Sequence, residues 1–355
     1  GALSAPFTKC GESNRFSAGK MMSSITISTV RSMGIAALSG TEAKLPFGAS
    51  LLETWEQQAP HCGRFIPSPT PALDSECLLA HILEKDRTFI LSHRDYPVSE
   101  TEFRRFAAAI TQRQSGLPVA YITGNKEFFG LRFTVTPDVL IPKPDTELLV
   151  ERGYAIILEK AAAAPEKKLS VCDMCTGSGC VAIALLKTIS QNRFAALLHL
   201  PDFTLADISA PALKIAKLNA DTLLSEGEKQ NAHFIQSDLF RAIERTFDVI
   251  TANPPYIPSA MAQALLTDGR NEPLLALDGD AEHSSDAAGK QDGLSVIRRF
   301  LPEAHAHLVA GGTLLMEAGE YNIRAAGAEA QKAGFSLVQI FQDLEGQPRL
   351  LQAEK

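Results

Sequence analysis

Apolar residues fall in two different rhythms along this chain, and the change of rhythm divides it. Over residues 49–115 the spacing is helical, with Leu73, Cys77, Leu78, His81 and Ile82 at i, i+4, i+5, i+8 and i+9. Asp74 stands where it would cap that helix, and Ser99-Glu100-Thr101-Glu102 has the form of another helix start. The pattern predicts a small helical module with Phe89, Phe103 and Phe106 in its core and a first helix already within Ala49–Ala59. Residues 116–145 break the rhythm. Phe128 to Val135 alternate as a hairpin strand with Gly130 near the turn, and Pro137, Pro142 and Pro144 exclude a helix until Thr146. From 146 to 355 short apolar runs alternate with helical stretches. Helices are predicted over Glu147–Lys160, Cys180–Leu186, Pro211–Leu224, Asp292–Leu308 and Tyr321–Ala333. Strands are predicted over Leu169–Met174, Asp202–Asp207, His233–Gln236, Phe247–Ala252, Thr313–Glu317, Phe335–Phe341 and Arg349–Gln352. Such alternation implies an α/β, Rossmann-like domain with a mostly parallel sheet of seven strands, the last two forming an antiparallel hairpin, and ligand at the carboxyl ends of the strands.

Two motifs sit at strand ends of this predicted sheet. Asn253-Pro254-Pro255-Tyr256 follows the strand Phe247–Ala252. An Asn carbonyl and a Pro backbone carbonyl are two acceptors, and a Tyr ring is a flat face, so the four residues suit a planar NH2 group. Upstream, Cys175-Thr176-Gly177-Ser178-Gly179 joins a strand to a helix. Glycines there let the backbone approach a nucleotide-like ligand while the helix N-terminus offers N–H groups. Gly177 to Ala182 also satisfies the dinucleotide pattern G-x-G-x-x-G/A, and Asp207, at the end of the next strand, is placed to accept ribose hydroxyls. That ribose belongs to NAD or to S-adenosylmethionine, and the later Asn-Pro-Pro-Tyr fits methyl transfer to nitrogen rather than hydride transfer.

The remaining composition narrows the partners. Net charge is −7, which disfavours a broad nucleic-acid surface and makes a protein partner the easier reading. No apolar run approaches the ~20 residues of a membrane span. Six Cys are too sparse for a disulfide scaffold in 355 residues and point to a reducing cytoplasm. Cys172 and Cys175 have C-x-x-C spacing with no second Cys or His pair near, and His305 and His307 stand two apart on a helix, so neither pair predicts a metal or redox site. Residues 1–48, with Ser, Gly, scattered basic residues and Met21-Met22, read as a disordered or weakly ordered extension; an organelle transit segment is the other reading.

From about Leu73 onward the chain resembles the HemK-type release factor glutamine methyltransferases. The resemblance rests on the two motifs above and on a linker: Pro118-Val119-Ala120-Tyr121-Ile122-Thr123-Gly124, Glu127-Phe128-Phe129-Gly130, and Val139-Leu140-Ile141-Pro142-Lys143-Pro144-Asp145-Thr146-Glu147. It implies S-adenosylmethionine as cofactor, with no metal, and a class I methyltransferase domain over 146–355. Its substrate would be the side-chain nitrogen of the Gln in the GGQ motif of peptide chain release factors, gripped by the 49–115 domain in support of translation termination. It further implies a monomer in the bacterial cytoplasm without direct nucleic-acid contact. Asn253, Pro254, Pro255 and Tyr256 would be catalytic. Cys175, Thr176, Gly177, Ser178 and Gly179 would hold the methionine part together with Asn253, Asp207 the ribose, and Asp238 or Leu239 the adenine. Phe128, Phe129 and Glu272, the last within Asn271-Glu272-Pro273 and upstream of Leu277-Asp278-Gly279, would lie against the substrate pocket. Three departures stand out: Cys175 where the family has Gly, Leu239 where it often has Trp, and an insertion of roughly ten polar residues over Asp280–Gln291, expected as a surface loop. A Cys fits the loop comfortably only if its φ is negative. Asn-Pro-Pro-Tyr also occurs in RNA and DNA amino-methyltransferases, which is the alternative reading; a non-catalytic or dehydrogenase-like cofactor-binding protein is a third.

Overall fold

The computed structural model describes residues 25–40, 65–192, 199–266, 271–280 and 291–355, and these form two compact units, one ending at Thr123 and one beginning at Gly124. The helix expected in Ala49–Ala59, most of the Asp280–Gln291 insertion and residues 1–24 lie outside the described residues.

The first unit is helical: α1 (Ile27–Ser39), α2 (Pro71–Leu83), α3 (Arg87–Ser92), α4 (Glu100–Gln114) and α5 (Val119–Thr123). Ser99 and Glu102 form the expected capping box at the start of α4, and Phe103 and Phe106 are fully buried. Within the extension expected to be disordered or weakly ordered, residues Ile27–Ser39 form helix α1. Ile25, Ile27, Val30, Met33 and Leu38 are buried in one cluster with Leu78, Leu79 and Phe106. Composition hid this helix because a narrow apolar stripe runs between Ser, Gly and Thr. Gly34, a poor helix former, serves close approach instead: a Cβ there would lie 2.5 Å from Ser75 Oγ and 2.6 Å from Phe106 Cζ.

Charge also ties these helices together and shifts the buried face of α2. Glu76 accepts Arg31 from α1 at 2.5 Å and Arg87 from α3 at 2.7 Å. Burial would raise its carboxyl, but the two guanidiniums hold it below the ordinary range. Asp74 is not the cap, which is Thr70. Its carboxylate accepts Ser68 Oγ at 2.6 Å and Arg113 Nε of α4 at 2.6 Å. Hence Leu73 is exposed while Asp74, Ser75 and Glu76 turn inward. Counting apolar residues misplaces the face by about one position, because carboxylates neutralised by arginines occupy core sites.

The second unit opens with a hairpin, β1 (Asn125–Phe128) and β2 (Leu131–Thr134), and continues through α6 (Glu147–Ala163). Then β3 (Ser170–Met174), α7 (Cys180–Gln191), β4 (Asp202–Asp207), α8 (Ala210–Leu223), α9 (Glu226–Lys229), β5 (Ala232–Gln236) and β6 (Phe247–Ala252) alternate. After α10 (Ser259–Leu266), α11 (Leu274–Leu277) and α12 (Ser295–His307), the chain ends on β7 (Leu308–Glu317), α13 (Ile323–Lys332), β8 (Leu337–Gln342) and β9 (Pro348–Glu354). The seven-stranded sheet has the order β5-β4-β3-β6-β7-β9-β8. Only β9 runs antiparallel, to both neighbours, so the last two strands form the expected antiparallel pair. Alternate residues of β6 feed opposite layers: Val249 packs with Leu149 and Leu185, and Ile250 with Ile297 and Phe300. Strand order reverses at β3, between β4 and β6, which opens a crevice at their carboxyl ends.

Two local differences have physical causes. β7 begins at Leu308 rather than Thr313 because Gly311, at φ +70°, is absorbed in a bulge where the β6 register shifts between Phe247 and Val249. The hairpin turns on Phe129 and Gly130, at φ +50° and +71°, a two-residue turn in which the Phe129 N–H is satisfied by Glu147 Oε1 at 2.9 Å. Among the described residues no helix is long and apolar enough to cross a membrane.

Gly34→Val tests the place of α1. Overpacking against Phe106 is expected to lower unfolding free energy by about 1–3 kcal/mol in urea titration; an unchanged midpoint would show that α1 does not belong to this core.

Candidate active site

The loop after β3 owes its shape to alternating left-handed residues. Cys175, Gly177 and Gly179 have φ of +58°, +54° and +78°. The Thr176 N–H donates to Ala206 O at 3.0 Å and the Gly177 N–H to Asp207 Oδ2 at 2.9 Å, so the loop is fastened to the end of β4. A Cβ at Gly177 would meet nothing within 4 Å, whereas one at Gly179 would lie 2.9 Å from Ile183 Cδ1 and 3.2 Å from Ala216 Cβ. Gly177 therefore borders open space and Gly179 lets α7 and α8 cross closely. Cys175 overturns the requirement for a negative φ: it is held in a region that L-residues rarely adopt, which is the physical reason a glycine suits this position.

Carboxylates surround the loop. Asp173 is 2 % exposed and accepts Thr176 Oγ1 at 2.6 Å and Thr251 Oγ1 at 2.8 Å. Burial still raises it from 3.8 to about 6. Asp207 is also raised by burial, against the N–H groups of Ser209, Gly177 and Ile208. At Asp207, Oδ2 accepts the Gly177 N–H and Oδ1 the Ser209 N–H, both at 2.9 Å. A carboxylate has four acceptor sites, so it can still accept a hydroxyl donor. Burial pushes the Cys172 and Cys175 thiols well above their usual range. Among the described residues no three His, Cys, Asp or Glu side chains form a metal-ligating group.

A cavity opens at these strand ends. Of the residues singled out in the sequence it gathers Cys175, Thr176, Gly177, Ser178, Asp207, Asp238, Leu239, Asn253 and Pro255, and the linker from Asp138 to Thr146 supplies another wall. Asp238 is paired with Arg299 at 2.8 Å, and Leu239 is buried at φ +49°. The donor set fits a nucleoside with a charged tail: an open glycine edge, a carboxylate with acceptor capacity left, and apolar Leu239 beyond it. Gly179, Pro254, Tyr256, Glu272, Phe128 and Phe129 do not line the cavity. Phe128 is a core residue, edge-on to Phe133 with centroids 6.1 Å apart. Phe129 forms the hairpin turn described above. Glu272 is buried and accepts Lys143 Nζ at 2.6 Å and the Ile141 N–H at 3.4 Å, so it moors the proline-rich linker.

Asn253 and Tyr256 are held from outside their own motif. The Asn253 Nδ2 group donates to Thr146 Oγ1 at 3.2 Å, and the Tyr256 hydroxyl donates to Glu317 Oε1 at 3.1 Å. Burial pushes the Tyr256 phenol well above its usual range. The Tyr256 carbonyl accepts Asn322 Nδ2 at 2.9 Å, and Cβ atoms at Gly279 and Gly293 would approach its Cα and O to 2.9 and 2.2 Å. Behind the glycine loop, Asn219 of α8 bonds Ser178 O at 2.9 Å and both backbone polar groups of Thr134, clamping the hairpin to the loop. Sequence reading missed Thr146, Asn219, Glu317 and Asn322. The helix expected from Asp292 begins only at Ser295, after Gly293 at φ +76°.

A doubly wound sheet with a glycine loop after β3, an acidic residue ending β4 and Asn-Pro-Pro-Tyr ending β6 defines an enzyme of the S-adenosylmethionine-dependent methyltransferase class. Residues 62–124 match the family model described as PrmC N-terminal domain, and residues 148–271 match the Methyltransferase small domain. A release factor glutamine methyltransferase of Burkholderia pseudomallei is 36% identical over 282 residues, covering 78% of this chain and 90% of the relative. The Coxiella burnetii protein of that name is 36% identical over 291 residues, covering 81% and 93%, and that of Escherichia coli 33% over 253 residues, covering 71% and 80%. The chain belongs to the release factor glutamine methyltransferase family.

Two outcomes follow from the loop. Cys175→Gly relieves a left-handed residue and is expected to raise stability by about 1 kcal/mol in urea unfolding; a lowered midpoint would contradict the strained backbone. Asp173 keeps its proton in the folded chain from 3.8 up to about 6, where the unfolded chain has lost it. Its contribution is therefore full at low pH and falls as pH rises through this window, by about 3 kcal/mol. Unfolding free energies of the protein and Asp173→Asn, measured across that range, should diverge by this slope, and parallel curves would refute the raised carboxyl.

Proposed function

We propose that this protein transfers a methyl group from S-adenosylmethionine to the side-chain amide nitrogen of the Gln in the GGQ motif of peptide chain release factors. The observation that carries the reading is Asn253 at the cavity, its Nδ2 committed to Thr146 and its Oδ1 left as an acceptor beside the glycine loop.

The cavity residues divide the work. Cys175 to Ser178 border the methionine end, the remaining acceptor capacity of Asp207 suits the ribose hydroxyls, and Asp238 with Leu239 suits the adenine. Bound there, S-adenosylmethionine supplies a methyl group on a sulfonium that leaves as a neutral thioether. An amide nitrogen is a poor nucleophile because its lone pair is delocalised into the carbonyl. Asn253 Oδ1, at the cavity, accepts one of its hydrogens and aims the nitrogen by proximity and a fixed dipole; the Pro254 carbonyl as second acceptor and Tyr256 against the amide plane are carried by the family resemblance, since neither lines the cavity. The methylated nitrogen is strongly acidic and sheds one of its two hydrogens as a proton to water, so no dedicated base is required. The helical unit of α1 to α5 is the part that grips the release factor.

Incubating the protein with S-adenosylmethionine and a purified release factor, then mapping the GGQ peptide by mass spectrometry, tests this. One added methyl on that Gln is expected, with turnover lowered about 100-fold or more in Asn253→Ala. An unmodified Gln, with methyl transfer to RNA or DNA instead, would overturn the substrate.

A further inference from the structure

One face of α12 is turned toward the segment that follows β5. Arg299, Glu303 and His307 stand at i, i+4 and i+8 of that helix, so their side chains share one side of it. Each meets a different residue of the turn over 237–243. Arg299 Nη2 donates to Asp238 Oδ2 at 2.8 Å, and Glu303 Oε2 accepts the Phe240 N–H at 3.2 Å. The His307 ring lies on that of Phe240, with centroids 4.5 Å apart, and its Nε2 is 3.0 Å from Ile243 O. The start of the turn is tied to β4, where the Ser237 N–H donates to Asp207 O at 2.9 Å.

Asp238 and Arg299 both border the cavity, beside Leu239 and Val296. Their side chains are 31 % and 27 % exposed, and an ion pair that wet contributes little to folding. Its effect is on direction. The guanidinium fixes one carboxylate oxygen, and with it the plane in which the remaining acceptor sites lie. A carboxylate at the adenine end accepts from an exocyclic amine and repels an exocyclic oxygen. A free Asp side chain could swing away from that oxygen, whereas one held by Arg299 keeps facing it.

We propose that Arg299 is a positioning residue for base selection: held by the face of α12, the Asp238 carboxylate accepts the 6-amino group of the cofactor's purine and rejects a 6-oxo purine. The inference rests on the S-adenosylmethionine reading of the cavity. It adds to that reading a residue 61 positions from Asp238 in the chain, which acts on the cofactor through the carboxylate.

Calorimetry on the full chain with S-adenosylhomocysteine and its deaminated counterpart S-inosylhomocysteine, in which an oxygen replaces the amine, tests this. The unaltered protein should prefer the adenosyl compound by about 100-fold, the scale set by leaving a charged acceptor unpaired. Arg299→Met keeps the apolar stem and removes the donors; the preference should fall to about threefold, chiefly through weaker binding of S-adenosylhomocysteine. Arg299→Lys, a point charge without the planar fork, should recover it to about tenfold. Asp238→Ala should lose the preference as Arg299→Met does, and the double variant should lose no more, since both act through one carboxylate. A full preference in Arg299→Met would overturn the inference, as would equal weakening of both compounds with their ratio intact. A further loss in the double variant would also overturn it, by placing the guanidinium itself on the cofactor. If Arg299→Met does not fold, Arg299→Ala is read in the same way, and failure of both to fold contradicts the inference because the pair would then serve the fold. An unaltered protein that binds neither compound sinks the S-adenosylmethionine reading, whereas binding of both without preference sinks only the inference.

Discussion

The hydrogen bond from the Gly177 N–H to Asp207 joins the carboxyl ends of β3 and β4, and the geometry of the cavity depends on it. For that N–H to face the neighbouring strand the backbone must reverse within a few residues, which sets the left-handed φ at 175, 177 and 179. The same bond holds the Asp207 carboxylate in place, and its remaining acceptor capacity is still available to a ligand hydroxyl. Parallel pairing of Met174 with Ala206 and with Ala252 then brings the loop, Asp207 and Asn253 to one level. A register slip at either ladder would separate them.

Around this arrangement the protein places groups that do not line the cavity. Asn219 clamps the hairpin to the loop, Glu272 moors the linker, and Asn322 with Gly279 and Gly293 confines the backbone of Tyr256. Cys175 costs strain where a glycine would be relaxed, and the loop keeps its shape because both flanking N–H groups are committed to β4. Preorganisation here is the work of many modest bonds, each fixing one rotational freedom of a reacting group's holder.

What the sequence made legible is what is local. β6 runs from Phe247 to Ala252 as its apolar run predicts, and the glycine loop and Asn-Pro-Pro-Tyr fall at strand ends as expected. Helix α1 was illegible because its stripe is interrupted by Ser, Thr and Gly, and its stability comes from packing on α2 and α4 rather than from propensity. The inward turn of Asp74 and Glu76 depends on arginines distant in the chain. Thr146 and Glu317 belong to the same class: each is an isolated polar residue in sequence, and only folding brings them to Asn253 and Tyr256. Phe128 and Phe129 were placed at the pocket by resemblance, yet one fills the core and the other makes a turn.

A crystal structure of the complex with S-adenosylhomocysteine tests this cofactor site most directly. Ribose hydroxyls are expected on the carboxylate of Asp207, the adenine beside Leu239, and the sulfur facing Asn253. A ligand seated outside this cavity, or one whose sulfur points away from Asn253, would contradict it.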